Sequence, residues 1–299
     1  MKLTKYIPFI GMAFVLLLVQ MIAVALSKPF DVNQIKAFSN PEATSNVIYW
    51  VAIILIFTAF ILVVIKLNKK WMIQAFIFFT VISTLYYVFF AIFTYFLPPV
   101  TNFFLTLILS AGLTIVLYKF PEWYVIDIVG IIIGAGAASI FGISLDIIPT
   151  LLLLVLLLVY DYIAVYRTKH MITLAEGVMD LRLPILLVIP KHWNYSFLTE
   201  KFDKEEREAF FMGLGDAVMP TILVVSANFF KTEATYYSLP LIGSVNIPAI
   251  GAIIGTFAGF AVLLGFVMKG KPQAGLPFLN GGVILGYVAG SLIAGSPII

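Results

Sequence analysis

The sequence predicts an all-α membrane protein in which nine helices cross the bilayer as one transmembrane domain over residues 1–299. Three observations carry that expectation. Of the residues, 62% are hydrophobic and 11% are charged, against about 25% charged in an ordinary soluble domain, so lipid must be the solvent for most of the chain. The apolar residues gather into runs of about 20, the length a helix needs to cross a bilayer. The basic residues between those runs fall mostly on one side.

The first run, Pro8 to Leu26, follows Lys2 and Lys5 and contains AVALS, which resembles a signal-peptide cleavage site. It is longer than the roughly 7 to 15 apolar residues of a signal peptide, so an uncleaved first helix is expected. The second run is Val47 to Ile65. In the third, Met72 to Leu97, the aromatic residues Phe78, Phe79, Tyr86, Tyr87, Phe89, Phe90 and Phe93 lie nearly all round the helix and predict contact with lipid on one side. The fourth is Asn102 to Tyr118. Only GISLD separates the fifth, Val125 to Phe141, from the sixth, Ile147 to Tyr166, and Asp127 and Asp146 dilute their edges.

The seventh run, Ala209 to Phe229, follows the longest non-spanning segment, about residues 167–208. Its end, TEKFDKEEREAF, pairs Lys201 with Glu205, Asp203 with Arg207 and Lys204 with Glu208 at i,i+4, which predicts a solvated helix leading into span seven. The eighth and ninth runs are Ile247 to Met268 and Leu276 to Ala294. Gly251, Gly255 and Gly259 in one, and Gly282, Gly286 and Gly290 in the other, recur every four residues and predict faces for close helix contact. The chain divides into scaffold helices over residues 1–142, a middle pair over 147–229, and a last pair over 247–295.

An odd number of spans puts the termini on opposite sides. With the amino terminus inside, fifteen of the eighteen lysines and arginines are cytoplasmic and only Lys28, Lys36 and Lys231 are outside. The positive-inside rule therefore predicts a cytoplasmic amino terminus and an external carboxy terminus.

The informative residues are acids inside the spans. A charged side chain at mid-bilayer costs about 2.5 to 3.5 kcal/mol on insertion scales and reads as a functional site until a partner is found. Asp161 lies six residues before Arg167 and Asp216 eight after Glu208, so at 1.5 Å per residue both sit roughly 10 Å in from the same side. The two helices run in opposite directions, which allows the acids to face each other. Asp127 has a similar depth; it is expected to be an interfacial acid reached by water.

Two close carboxylates share a proton, so one can act as base toward water while the other polarises a carbonyl. That is the chemistry of aspartyl peptide hydrolysis. Proton- or sodium-coupled transport by the same acids stays open at this point. The chain has no cysteine, and its two histidines form no HExxH pattern, which excludes thiolate chemistry and that zinc motif. No metal and no organic cofactor are expected. Basic residues interspersed with acids, and no glycine-rich phosphate loop, give no sign of nucleic-acid binding.

The local sequence around the acids is specific. VYDYIAV at 159–165, GLGD at 213–216 and AGLP at 274–277 resemble, in order, the tyrosine-aspartate, GxGD and PALP motifs of the presenilin and signal peptide peptidase family of intramembrane aspartyl proteases. The resemblance implies a presenilin-like fold in the cell membrane, transmembrane polypeptides as substrates, and Asp161 and Asp216 as the catalytic pair. It further implies supporting roles for Tyr160, Gly213, Leu214, Gly215, Ala274, Gly275, Leu276 and Pro277. Ala274 departs from the family's pattern, standing where the first proline of PALP would be. GLGDAVMP is similar to signal peptide peptidases and VYDYIAV to presenilins, while the charge asymmetry agrees with presenilins. Prepilin-type peptidases also carry GxGD, but their first catalytic aspartate lies nearer the start of a shorter core.

One further segment invites a role. LPILLVIP places Ile185, Leu186, Leu187, Val188 and Ile189 between Pro184 and Pro190, a run too short to span and punctuated as an edge strand. Such a strand could pair with an unwound substrate. A short interfacial anchor is the other reading.

Overall fold

The computed structural model describes residues 7–67, 69–168, 186–192, 194–198, 208–232, 236–239, 243–268 and 273–299. Among them the chain forms nine α-helices: α1 (Ile7–Val32), α2 (Ser45–Lys66), α3 (Lys70–Phe93), α4 (Pro99–Lys119), α5 (Trp123–Gly142), α6 (Ile147–Ile163), α7 (Leu214–Phe230), α8 (Ile247–Val267) and α9 (Leu276–Ala294). A π-helical turn, Ala164–Thr168, extends α6. Two antiparallel hairpins complete the described structure: β1 (Leu186–Pro190) with β2 (Ala209–Gly213), and β3 (Tyr236–Leu239) with β4 (Gly243–Asn246).

Burial separates the helices into a core and a lipid-facing flank. Met12, Leu16, Val19 and Ala23 of α1 and Ala135 and Ala138 of α5 are fully buried. On α7 every residue from Ala217 to Ala227 except Met219 is buried, as expected for a helix that is apolar all round and surrounded by protein. The flank is different. α2 buries only Asn46, Val47, Trp50 and Val64, and on α3 Phe79 and Tyr87 are exposed while Val81, Leu85 and Val88 are buried, so the aromatic third run is open on one side.

Eight of these helices, α6 taken with its π-helical extension to Arg167, are long and apolar enough to cross a membrane. The exception corrects the sequence reading. Span seven was expected over Ala209 to Phe229, but its first five residues, AFFMG, form β2, so α7 keeps 17 residues, about 25 Å at 1.5 Å per residue. The reason is a backbone partner. β2 pairs residue by residue with β1, Leu186 opposite Gly213 through Pro190 opposite Ala209, and the ladder satisfies backbone groups that a helix would otherwise have bonded internally. The solvated helix expected before span seven falls on residues 201–207, outside the described residues; Glu208 continues the hairpin, its carbonyl accepting from Lys191 N–H at 2.9 Å.

At the other end of α7, Asn246 joins the second hairpin to α8. It caps α8 by accepting from Ala249 N–H at 2.8 Å, and its Nδ2 donates to the Ala227 carbonyl of α7 at 2.7 Å. α8 and α9 then meet along their glycines: a Cβ placed on Gly251, Gly255 or Gly259 would overlap the backbone of α9 at Gly286, Gly282 or Phe278. Asn280 of α9 ties this pair to the core through Nδ2 and the Leu154 carbonyl of α6, 3.1 Å apart.

Candidate active site

Asp161 lies on the last turn of α6, 5% exposed, just before the helix widens into the π-helical turn. Widened turns of this kind occur often at functional sites. Asp216 lies in the first turn of α7, half-buried, with Gly213 in extended conformation capping the helix before it. Gly213 therefore ends β2 and starts α7, so the hairpin aims the turn that carries Asp216.

The AGLP segment brings the two acids together. Gly275 is the N-cap of α9, and the Leu276 N–H, one of the donors that the first turn of a helix leaves without an internal partner, donates to Asp161 Oδ2 at 3.1 Å. The neighbouring Gly275 lies on Asp216: a Cβ there would stand 2.8 Å from both of its carboxylate oxygens. The Gly275–Leu276 peptide thus lies against both acids. Pro277 follows inside the first turn of α9, where its missing N–H removes no helical bond. Both carboxylates face helix N-termini, where the helix dipole favours negative charge.

The departure at Ala274 has a structural account. Tyr166, in the π-helical turn, donates through its hydroxyl to Gln273 Oε1 at 2.6 Å and accepts from Ala274 N–H at 3.4 Å. A proline at 274 has no N–H to give. Sequence reasoning missed Tyr166 and Gln273, which are 107 residues apart; the signal available was a tyrosine five residues after Asp161 with a polar residue just before AGLP.

The remaining sequence candidates divide. Leu214 turns toward α5, where a Cβ on Gly134 would lie 2.9 Å from its Cδ1. Gly215 is exposed with open space where its Cβ would be. Tyr160 is half-buried one residue before Asp161, about 100° round the helix from it. Pro220 is buried inside α7, and the carbonyl it leaves without a helical donor is that of Asp216. Residues 186–189 form the body of β1, while Ile185 falls outside the described residues.

Asp127 differs from its expectation. It is 5% exposed, and rather than reaching interfacial water it accepts from the Val188 N–H of β1 at 2.7 Å. That bond spans 61 residues of sequence, so no local pattern announces it.

Comparison with known proteins identifies the family. Residues 12–296 match the family described as signal-peptide peptidase, presenilin aspartyl protease. Two solved structures of a presenilin family intramembrane aspartate protease, in different space groups, are each 42% identical to this chain and cover 96% of it. They are covered over 100% and 98% of their own lengths, with TM-scores of 0.73 and 0.70. No curated protein matches. The chain, a multi-pass integral membrane protein with a presenilin-like fold, belongs to the signal-peptide peptidase and presenilin family of intramembrane aspartyl proteases.

Proposed function

We propose that the protease cuts peptide bonds inside the transmembrane segments of other membrane proteins, with Asp161 and Asp216 as its catalytic pair. The observation that carries this reading is the single Gly275–Leu276 peptide touching both carboxylates. With one proton between them, the ionised acid takes a proton from water and the resulting oxygen nucleophile attacks the scissile carbonyl carbon. The protonated acid gives its proton to the carbonyl oxygen, forming a neutral gem-diol. Collapse returns a proton through the pair to the amide nitrogen, the C–N bond breaks, and an acid and an amine leave. No metal or organic cofactor is needed, because the two acids supply both base and electrophile.

The pair must hold one proton. Cleavage should therefore follow a bell, lost in acid when both are protonated and lost in alkali when the shared proton leaves. A pH–rate profile with purified protein and a single-span substrate tests this; a rate still climbing above about pH 9 would contradict it.

A helical substrate must unwind to be cut, and its freed amides need partners in lipid. The hairpin β1–β2 is our candidate for that role. Its ladder alternates: the Lys191–Glu208 bond sets Ile189 with Phe210 and Leu187 with Met212 as the bonded pairs. On the far side of β1 the Val188 N–H is committed to Asp127. In place of the 185–189 edge expected from the sequence, we assign substrate strand addition to β2, because it runs directly into the Asp216 turn. The supporting positions Tyr160, Gly213, Leu214, Gly215 and Ala274 to Pro277 are read as shaping the approach to the pair.

The orientation follows the charge asymmetry: amino terminus cytoplasmic, carboxy terminus outside, in the cell membrane. Substrates would then enter with their amino termini outside. A cysteine at Lys201 should resist an impermeant thiol reagent in intact cells and one at Lys231 should react; the reverse pattern would invert the topology.

A further inference from the structure

Asp127 and Asp161 are the buried carboxylates among the described residues, and the chemistry above uses only the second. Burying a carboxylate is costly unless it is bonded, and Asp127 is bonded to a backbone N–H of β1. Three and seven residues further along α5, on the same face, stand Gly130 and Gly134. A Cβ on Gly130 would lie 3.3 Å from Leu187 Cδ2, and one on Gly134 would lie 2.9 Å from Leu214 Cδ1. One face of α5 therefore holds β1 and the Leu214 of GLGD together.

The strand is held from other directions too. Gly11 of α1 leaves room for Ile189, whose Cγ2 would be 2.9 Å from a Cβ there. At the start of α5, Glu122 accepts from Ser196 Oγ at 2.7 Å and Phe197 N–H at 3.0 Å, fixing the chain that leaves β1. A one-residue slip of β1 would turn its seated side chains to the other face. The Asp127 bond adds a directional constraint to that packing, because it is made only with the Val188 amide in place.

We propose that Asp127 is a positioning residue that selects the scissile bond: by pinning β1 through Val188 N–H, it holds the hairpin, and the substrate strand added to it, in one register against Asp161 and Asp216. This rests on the strand-addition reading above. Loss of the pin lets the hairpin shift, so neighbouring bonds reach the acids.

The test compares three variants of the full chain by product masses, kcat/KM and melting temperature on a single-span substrate. Asp127→Asn keeps an oxygen acceptor and should give the wild-type products with kcat/KM within about threefold. Asp127→Leu removes the acceptor, and Val188→Pro removes the donor without touching the β2 ladder; each should spread cleavage over adjacent bonds and lower kcat/KM by up to about tenfold, the upper end of what one intramolecular hydrogen bond contributes. Combining them should add little further loss, since both break one bond. An unchanged product set in folded Asp127→Leu or Val188→Pro overturns the proposal. Should neither fold, Asp127→Ala decides: it withdraws the acceptor without adding apolar bulk, so shifted products support the pin and unshifted ones overturn it. A wild-type protein that yields no product would instead defeat the proposed function itself.

Discussion

Two glycine-bearing faces in this molecule, with the same spacing, perform different tasks. Along α8 and α9, Gly251, Gly255 and Gly259 meet Gly286, Gly282 and Phe278 backbone to backbone, so the two helices close into a seam with no side chain between them. Along α5, Gly130 and Gly134 meet the side-chain ends of Leu187 and Leu214, which come from a strand and from the first residue of a helix. The first face packs helix on helix. The second is a socket that seats side chains from β1 and from the start of α7. A small-residue stripe therefore reports only that something comes close; what comes close decides whether the stripe is scaffold or part of the site.

Substitutions at the two faces should separate these roles. At the seam, Gly255→Val places its side chain against the Gly282 backbone carbonyl, which no rotamer change can relieve, so folded protein should be lost with a destabilisation above about 3 kcal/mol. Thermal unfolding of the purified protein measures it; a near-native melting temperature would show that the helices can part without harm. At the socket, Gly134→Ala crowds the far end of the flexible Leu214 side chain and meets Val218 at ordinary contact distance, so stability should change by less than about 1 kcal/mol. Its effect should appear in cleavage, as a severalfold fall in kcat/KM. Equal loss of stability at both sites would erase the distinction between seam and socket.

Much of this arrangement is legible in the amino-acid order. YD, GLGD and AGLP announce three segments, and the structure brings them to one point through the Gly275–Leu276 peptide. Hydropathy finds the spans because a helix in lipid must be apolar along its length. It misplaces the start of α7, since AFFMG is as apolar as the helix that follows and a run of five does not distinguish strand from helix. Only its pairing with LLVIP, across the segment that precedes span seven, makes it a strand. Asp127 escapes for a related reason. Its depth and charge are visible, but its partner is one backbone N–H 61 residues away, and backbone donors carry no mark in the sequence. The Tyr166, Gln273 and Ala274 bonds hide in the same manner, although they explain why an alanine stands in place of a proline.

The proposed function requires Asp161 and Asp216 to act as one catalytic unit. The most direct measurement incubates purified wild-type, Asp161→Asn and Asp216→Asn proteins, each confirmed folded by its melting temperature, with a single-span substrate and weighs the products. The account predicts cleavage within the span by the wild type and a loss of more than about a thousandfold in each variant, because neither acid can be base and electrophile at once. Cleavage at the same bond persisting at an appreciable rate in either variant would contradict it.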